Sequence, residues 1–202
     1  MRDFRAELAG DRCWDLRTEE IFSASGEPLD DCILQNREEL IGLCELIEAQ
    51  QIGSYLEIGI WTGRLLTTLH RLFQFERVAA CDHGWAEELG LTIRVPAGTS
   101  FLHGSSDSPA FRSWREDLGP IDLVLIDANH SYRAVRSDFE INRGFPHRFL
   151  ALHDITGHRR QTEGVAKFWR ELSGGRKQEI VRPHRELGLA HSTMGIGVWS
   201  ET

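Results

Sequence analysis

Four short runs hold the residues that could do chemistry. They are Glu57-Ile58-Gly59-Ile60-Trp61-Thr62-Gly63, then Cys81-Asp82-His83, then Asp127-Ala128-Asn129-His130-Ser131-Tyr132, and last Leu152-His153-Asp154. The first reads as a glycine turn between a strand and a helix, where a ligand can approach the backbone and meet free N–H groups. It departs from the Gly-x-Gly-x-x-Gly pattern of dinucleotide sites, because Glu57 stands where the first glycine would be. A carboxylate in that place repels a diphosphate and attracts a cation. S-adenosylmethionine suits it: the molecule carries a sulfonium and an ammonium and no phosphate. Asp82, at the end of the next strand, can accept hydrogen bonds from ribose hydroxyls. The bland alternative is an ordinary glycine turn.

The later runs form a second constellation. In open α/β sheets ligands gather at the carboxyl ends of the strands, and the strand ends here carry Glu57, Asp82, His83, Ser105, Ser106, Asp107, Asp127, His153 and Asp154. Asp127, His153 and Asp154 fall at two neighbouring ends. Two close carboxylates repel, and a divalent cation between them removes the cost. Oxygen ligands suit Mg²⁺ or Mn²⁺, and an imidazole tilts the choice towards Mn²⁺, Fe²⁺ or Zn²⁺. The alternative has Asp154 capping a helix and His153 ending a strand in the core. His130 has two readings of equal standing, a general base or a helix-start residue bonding a nearby backbone group.

The elements that must position these groups follow from periodicity. Asn36 and Glu39 propose a capping box, and Leu40, Leu43, Cys44 and Ile47 make one helical stripe that Gly53 ends. Strands are expected at 55–58, 78–81, 101–103, 121–126, 149–152, 179–181 and 196–199. Helices are expected after Thr62, from near Pro109, around Tyr132, Val135 and Phe139, and around Val165, Phe168, Trp169 and Leu172. This alternation predicts an α/β fold, a doubly wound and mostly parallel sheet with helices on both faces. The linker before the last strand is too short for a crossover helix, so that strand should run antiparallel. Residues 1–35 read as an N-terminal extension with at most a short helix: a partly ordered tail, a lid over the cofactor or a homodimer contact. Residues 36–202 read as one domain.

Composition narrows the partners. A formal net charge of −8 over 202 residues argues against nucleic acid as the substrate. No apolar run approaches the roughly 18 residues that span a membrane, and no secretory signal opens the chain. The four cysteines, Cys13, Cys32, Cys44 and Cys81, include no Cys-x-x-Cys pair. The cytoplasm is the expected compartment.

The Glu57-x-Gly59-x-x-x-Gly63 turn resembles motif I of the class I S-adenosylmethionine-dependent methyltransferases. The run Asp127-Ala-Asn-His130-Ser-Tyr132-x-x-Val135-x-x-Asp138, followed by Leu152-His153-Asp154, resembles a small subgroup of them. That subgroup includes sugar and antibiotic O-methyltransferases and cephalosporin hydroxylase-like proteins, with an Asp-Gly-Asp-His-Ser-Tyr signature. The resemblance covers roughly residues 54–157. Ala128 and Asn129 replace its Gly-Asp, which removes one acidic group. The resemblance implies seven strands in a Rossmann-like methyltransferase fold with the last reversed, and a small-molecule acceptor. It implies that Glu57 and the Gly59–Gly63 backbone hold the methionine end, with Ile60 and Trp61 packing on it. Asp82 would bind the ribose, His83 would cover the adenine face, and Ser105 and Ser106 would read its edge. Asp127 would face the sulfonium or a metal shared with His153 and Asp154, and His130 and His153 are the candidate bases. The rivals are a nicotinamide-dependent oxidoreductase, which Glu57 opposes, and a nucleoside-binding protein without transfer chemistry.

Overall fold

The structure is a computed structural model that describes residues 2–14, 32–157, 160–183 and 194–201. A seven-stranded sheet runs through it. Its strands are β3 (Ser54–Ile58), β4 (Arg77–Asp82), β5 (Ser100–His103), β6 (Ile121–Ile126), β7 (His147–His153), β8 (Arg176–Ile180) and β9 (Ile196–Ser200). The spatial order is β5-β4-β3-β6-β7-β9-β8. Pairing is parallel from β5 to β7, and β9 lies antiparallel to both β7 and β8. The doubly wound sheet with one reversed strand is therefore present.

Both faces are covered, and strand alternation decides which side chain goes where. On β6, Leu123 and Leu125 join one core with Leu43, Cys44 and Ile47 of α2 (Arg37–Ala49) and Leu65, Leu66 and Leu69 of α3 (Arg64–Phe73). Val124 and Ile126 join the other core. There they meet Phe111 of α5 (Pro109–Asp117), Val135 and Phe139 of α6 (Tyr132–Arg143), and Phe168 and Trp169 of α7 (Glu163–Glu171). An unbroken apolar run is what a central strand covered on both sides requires. Each fully buried large side chain here contributes roughly 1.5–3 kcal/mol. Phe139 shows the packing: it meets Phe168 and Trp199 edge-on at 5.3 and 5.2 Å between ring centroids.

Caps fix where the helices begin. The Asn36 side chain accepts from the N–H groups of Glu38 and Glu39 at the start of α2. Ser108 and Ser131 do the same for α5 and α6, accepting from Phe111 and Ala134. The Glu39 half of the expected capping box is absent. Its carboxylate instead accepts from Arg182 N (3.2 Å) and Met194 N (3.1 Å), joining α2 to both sides of the β8–β9 connection. The left-handed residue after α2 is Gln51, at φ 50°, and not Gly53.

The N-terminal residues pack on this body. A short helix, α1 (Phe4–Glu7), precedes β1 (Arg12–Cys13), which pairs in parallel with β2 (Cys32–Ile33). Phe4, Leu8 and Ile33 belong to the same core as α2 and α3. Asp11 accepts from Thr68 Oγ1 and from Arg71 of α3. A last short helix, α4 (Trp85–Glu88), follows β4.

Candidate active site

A cavity of about 1040 Å³ opens at the carboxyl ends of the central strands. Its floor is the turn from Ile58 to Thr62. Gly59 sits at φ 82°, and a Cβ there would stand 2.3 Å from the Asp127 carbonyl oxygen and 2.6 Å from Ala128 Cα. The β3 turn and the β6 turn can touch only because residue 59 is glycine. Gly63, also at φ 82°, is set behind the turn at the start of α3, where the Arg94 carbonyl would lie 2.0 Å from a Cβ. It is not on the cavity wall, unlike the other residues expected at the site.

Asp82 fastens the turn. Its Oδ2 accepts from Ile60 N (2.9 Å) and Trp61 N (3.3 Å), and its Oδ1 accepts from Gly84 N (2.7 Å). Trp61 is held at φ 53°, uncommon for a bulky residue. Its ring lies 5.1 Å from that of Trp85, centroid to centroid. Glu57 is buried and accepts from the Tyr55 hydroxyl at 2.8 Å. Burial, and then the charges of Asp127 and Asp82, push its carboxyl well above the usual range, although the Tyr55 bond pulls the other way. Burial thus works against the charged form of Glu57, and a cation beside it would favour that form.

Beside it lies the second cluster. Asp127 Oδ1 is 3.3 Å from His130 Nε2, and Asp127 Oδ2 is 3.2 Å from His153 Nδ1. Asp154 Oδ2 is 3.3 Å from His130 Nε2 and 3.7 Å from His153 Nδ1. Burial alone would lower the His153 imidazole, but the Asp127 and Asp154 charges outweigh it and raise it to about 10. Burial likewise opposes the charged form of His130, and the bond and charge of Asp127 raise it on balance. Asp127 is held below the usual carboxylate range: the charge of His153 and the bond from His130 overcome its burial. Asp154, at φ 64°, ends β7 in a conformation that costs a non-glycine residue on the order of 1 kcal/mol or more.

Asp127, His153 and Asp154 each offer a ligand atom within 4.8 Å of the others. Two carboxylates and an imidazole are the donor set of Mn²⁺ or Fe²⁺ more than of Mg²⁺. A metal there displaces the His153 proton that otherwise balances the carboxylates. Asn129, which stands in place of an acidic residue, is no part of this group: its Oδ1 accepts from Ser131 N.

The same cavity takes residues that sequence reasoning gave no role. Trp14, Cys32, Leu34 and Gln35 bring the N-terminal segment to its wall, and Met194 brings the β8–β9 connection. Gln35 is 1% exposed, and neither its Nε2 nor its Oε1 has a hydrogen-bond partner among the described residues. Asp138 of α6 is also on the wall; its helical spacing from Ser131 and Val135 was the available signal. His83 is largely exposed at the rim, with Nδ1 3.9 Å from Asp82 Oδ1. His184, Arg185 and His191, on the linker before the last strand, and His158 and Arg159 lie outside the described residues.

Comparisons with known proteins meet this geometry. A methyltransferase-domain family model matches residues 56–155, from within β3 to just past β7. No curated protein matches the sequence. Among solved structures, an O-methyltransferase from Bacillus cereus in complex with SAH aligns with a TM-score of 0.59 at 15% identity, covering 99% of this chain and 92% of that one. The O-methyltransferase TomG from Streptomyces achromogenes, in complex with SAM, gives 0.57 at 16%, covering 92% and 88%. A TDP-rhamnose 3′-O-methyltransferase of calicheamicin biosynthesis gives 0.53 at 15%, covering 80% and 78%. At these identities the likeness to each structure is one of fold. With the matched family domain spanning both the acidic glycine turn and the Asp127–Asp154 cluster, the chain is a class I S-adenosylmethionine-dependent methyltransferase.

Proposed function

We propose that this enzyme transfers the methyl group of S-adenosylmethionine to a hydroxyl oxygen of a small molecule. The observation that carries the reading is the His130–Asp127–His153–Asp154 cluster on the floor of the cavity, beside the glycine turn. A hydroxyl is a poor nucleophile until a base takes its proton or a cation acidifies it, and this cluster offers groups for both. The folds of O-methyltransferases solved with SAH and SAM, and of one that acts on TDP-rhamnose, support the same class of acceptor.

The chain's own residues then have these tasks. Glu57 and Asp127 draw the ammonium and sulfonium, and Gly59, with no side chain, lets the methionine end approach the backbone of the turn. Asp82 keeps the turn in shape and lies where the ribose diol would sit. In an in-line displacement the acceptor oxygen bonds the methyl carbon as the carbon–sulfur bond breaks, and neutral S-adenosylhomocysteine leaves. His130, its Nε2–H held by Asp127 and Asp154, takes the hydroxyl proton on its other ring nitrogen, and the two carboxylates stabilise the imidazolium formed. Asp127, His153 and Asp154 would hold a divalent cation; bound there, it supplies Lewis acidity that makes a coordinated hydroxyl more acidic.

The cavity stands at the upper end of the ~300–1,000 Å³ that single-ligand sites occupy, so cofactor and a small acceptor fit together. Trp14, Leu34, Gln35 and Met194 supply the acceptor side, which brings Trp14, Leu34 and Gln35 of the N-terminal segment into the enzyme's site. The net charge of −8 favours a small molecule over nucleic acid. Four cysteine thiols favour a reducing, cytoplasmic compartment, and no helix among the described residues is long and apolar enough to cross a membrane.

The test incubates the enzyme with S-adenosylmethionine, Mn²⁺ and a panel of catechols and nucleotide sugars, and reads S-adenosylhomocysteine and methylated product by mass spectrometry. O-methylated product that EDTA reduces at least about tenfold, and that Asp127→Ala abolishes, supports the reading. N- or C-methylated product, or transfer indifferent to both treatments, refutes it.

A further inference from the structure

Asp138 belongs to the motif that opens α6, yet the transfer chemistry gives it no task. It is 3% exposed, and it lines the cavity together with Ser105, Ser106 and Asp107. The Ser106 hydroxyl donates to Asp138 Oδ1 at 2.6 Å, and the Ser105 hydroxyl donates to Asp107 Oδ1 at 2.6 Å. The Asn142 side chain, one turn along α6, bonds the Asp138 backbone carbonyl and not its carboxylate. A carboxylate buried on a helix face with one hydroxyl partner is costly if its only task is structural.

The location suggests the task, on the reading that S-adenosylmethionine fills the cavity. The cationic end is drawn to Glu57 and Asp127, and the ribose lies towards Asp82 at the end of β4. The base must extend beyond, over the end of β5, where the Ser105–Asp107 loop meets α6. With their protons committed to carboxylates, the oxygens of Ser105 and Ser106 can only accept there. A wall of acceptors suits the exocyclic amine of adenine, which donates two hydrogens. It opposes the carbonyl of hypoxanthine, which donates none.

We propose that Asp138, by orienting the Ser106 hydroxyl, makes the cofactor site discriminate adenine from hypoxanthine. Asp138 acts as a positioning residue, and Ser106 touches the base. Asp107 on the loop and Cys81 on β4 are the other titratable groups facing it. Burial raises the Asp138 carboxyl to about 6, so at pH 8 it is ionised and accepts.

The experiment is calorimetric titration at pH 8 with S-adenosylhomocysteine and with S-inosylhomocysteine, its deaminated counterpart. Wild-type enzyme should prefer the adenine compound by at least about tenfold. Asp138→Ala removes the acceptor and frees the Ser106 hydroxyl to donate, and the preference should fall to within about threefold, chiefly through tighter binding of the inosine compound. Ser106→Ala should shrink it similarly without touching α6, and serves if Asp138→Ala does not fold. Wild-type preference retained in both variants overturns the inference, as does an equal loss of affinity for both compounds. Failure of the wild type to bind either compound overturns the functional reading itself.

Discussion

Replacing Asp127 by asparagine should change not only activity but the way stability depends on pH. Asp127 bridges two imidazoles, His130 at 3.3 Å and His153 at 3.2 Å. The folded-state pKa of His153 is raised from 6.5 to about 10. A raised histidine contributes stability that is fully present below its unfolded value and is lost as pH climbs to its folded value. Wild-type protein should therefore lose stability between about pH 6.5 and 10. The Asp127→Asn substitution keeps the size and a hydrogen bond but removes the charge. Asp154, 3.7 Å away, and the charge of Glu39 are then left to oppose burial, so the folded-state value of His153 falls and the downward slope weakens. Breaking a buried ion pair by removing one partner costs about 3–5 kcal/mol, and the variant should show a deficit near the lower end of that range at pH 6. The deficit should shrink towards pH 10, where the wild-type pair has itself been discharged. Urea unfolding in EDTA at pH 6, 8 and 10, with the His153 ring protons followed by NMR, measures both quantities. A deficit that is constant across this range, or a His153 that still titrates near 10 in the variant, would refute the electrostatic account of the cluster.

Two other substitutions follow from the cavity walls. Gly59→Ala combines a left-handed backbone with a Cβ 2.3 Å from the Asp127 carbonyl. It should destabilise by about 2–5 kcal/mol in thermal unfolding and weaken S-adenosylhomocysteine binding by separating the two turns. Gln35→Leu removes a buried amide that has no partner among the described residues; it should leave unfolding stability equal or higher while raising the acceptor KM several-fold with little change in cofactor affinity. A stability loss above about 2 kcal/mol would show that the amide serves the fold.

The parts of this fold legible in the sequence are those set by local pattern. The apolar run Ile121–Ile126 announced a central strand, and the Glu57–Gly63 turn announced a ligand-facing strand end. The rule that ligands gather at carboxyl ends then brought Asp127, His153 and Asp154 together before any coordinates. What stayed hidden depends on partners far along the chain. Glu39 looks like half of a capping box, but Arg182 and Met194 offer its carboxylate two amides that no local rule anticipates. Strand β8 begins at Arg176, ahead of the expected Glu179, because an edge strand with exposed polar residues carries no apolar alternation to read. Gln35 belongs to no motif and becomes notable only because folding buries it at the cavity wall. Asp82 was expected to serve the ribose alone, while three backbone amides of its own neighbourhood already occupy its oxygens.

The central claim is that an acidic glycine turn, whose buried carboxyl is raised in the empty site, receives the cationic end of a sulfur nucleoside. Calorimetric titration of the protein with S-adenosylmethionine, repeated at pH 7 in buffers of different ionisation enthalpy, tests it most directly. The account predicts micromolar binding with net proton release, as the raised Glu57 carboxyl ionises beside the ammonium and sulfonium, and loss of that release in Glu57→Gln. No binding at millimolar concentration, or binding with no proton released, would contradict it.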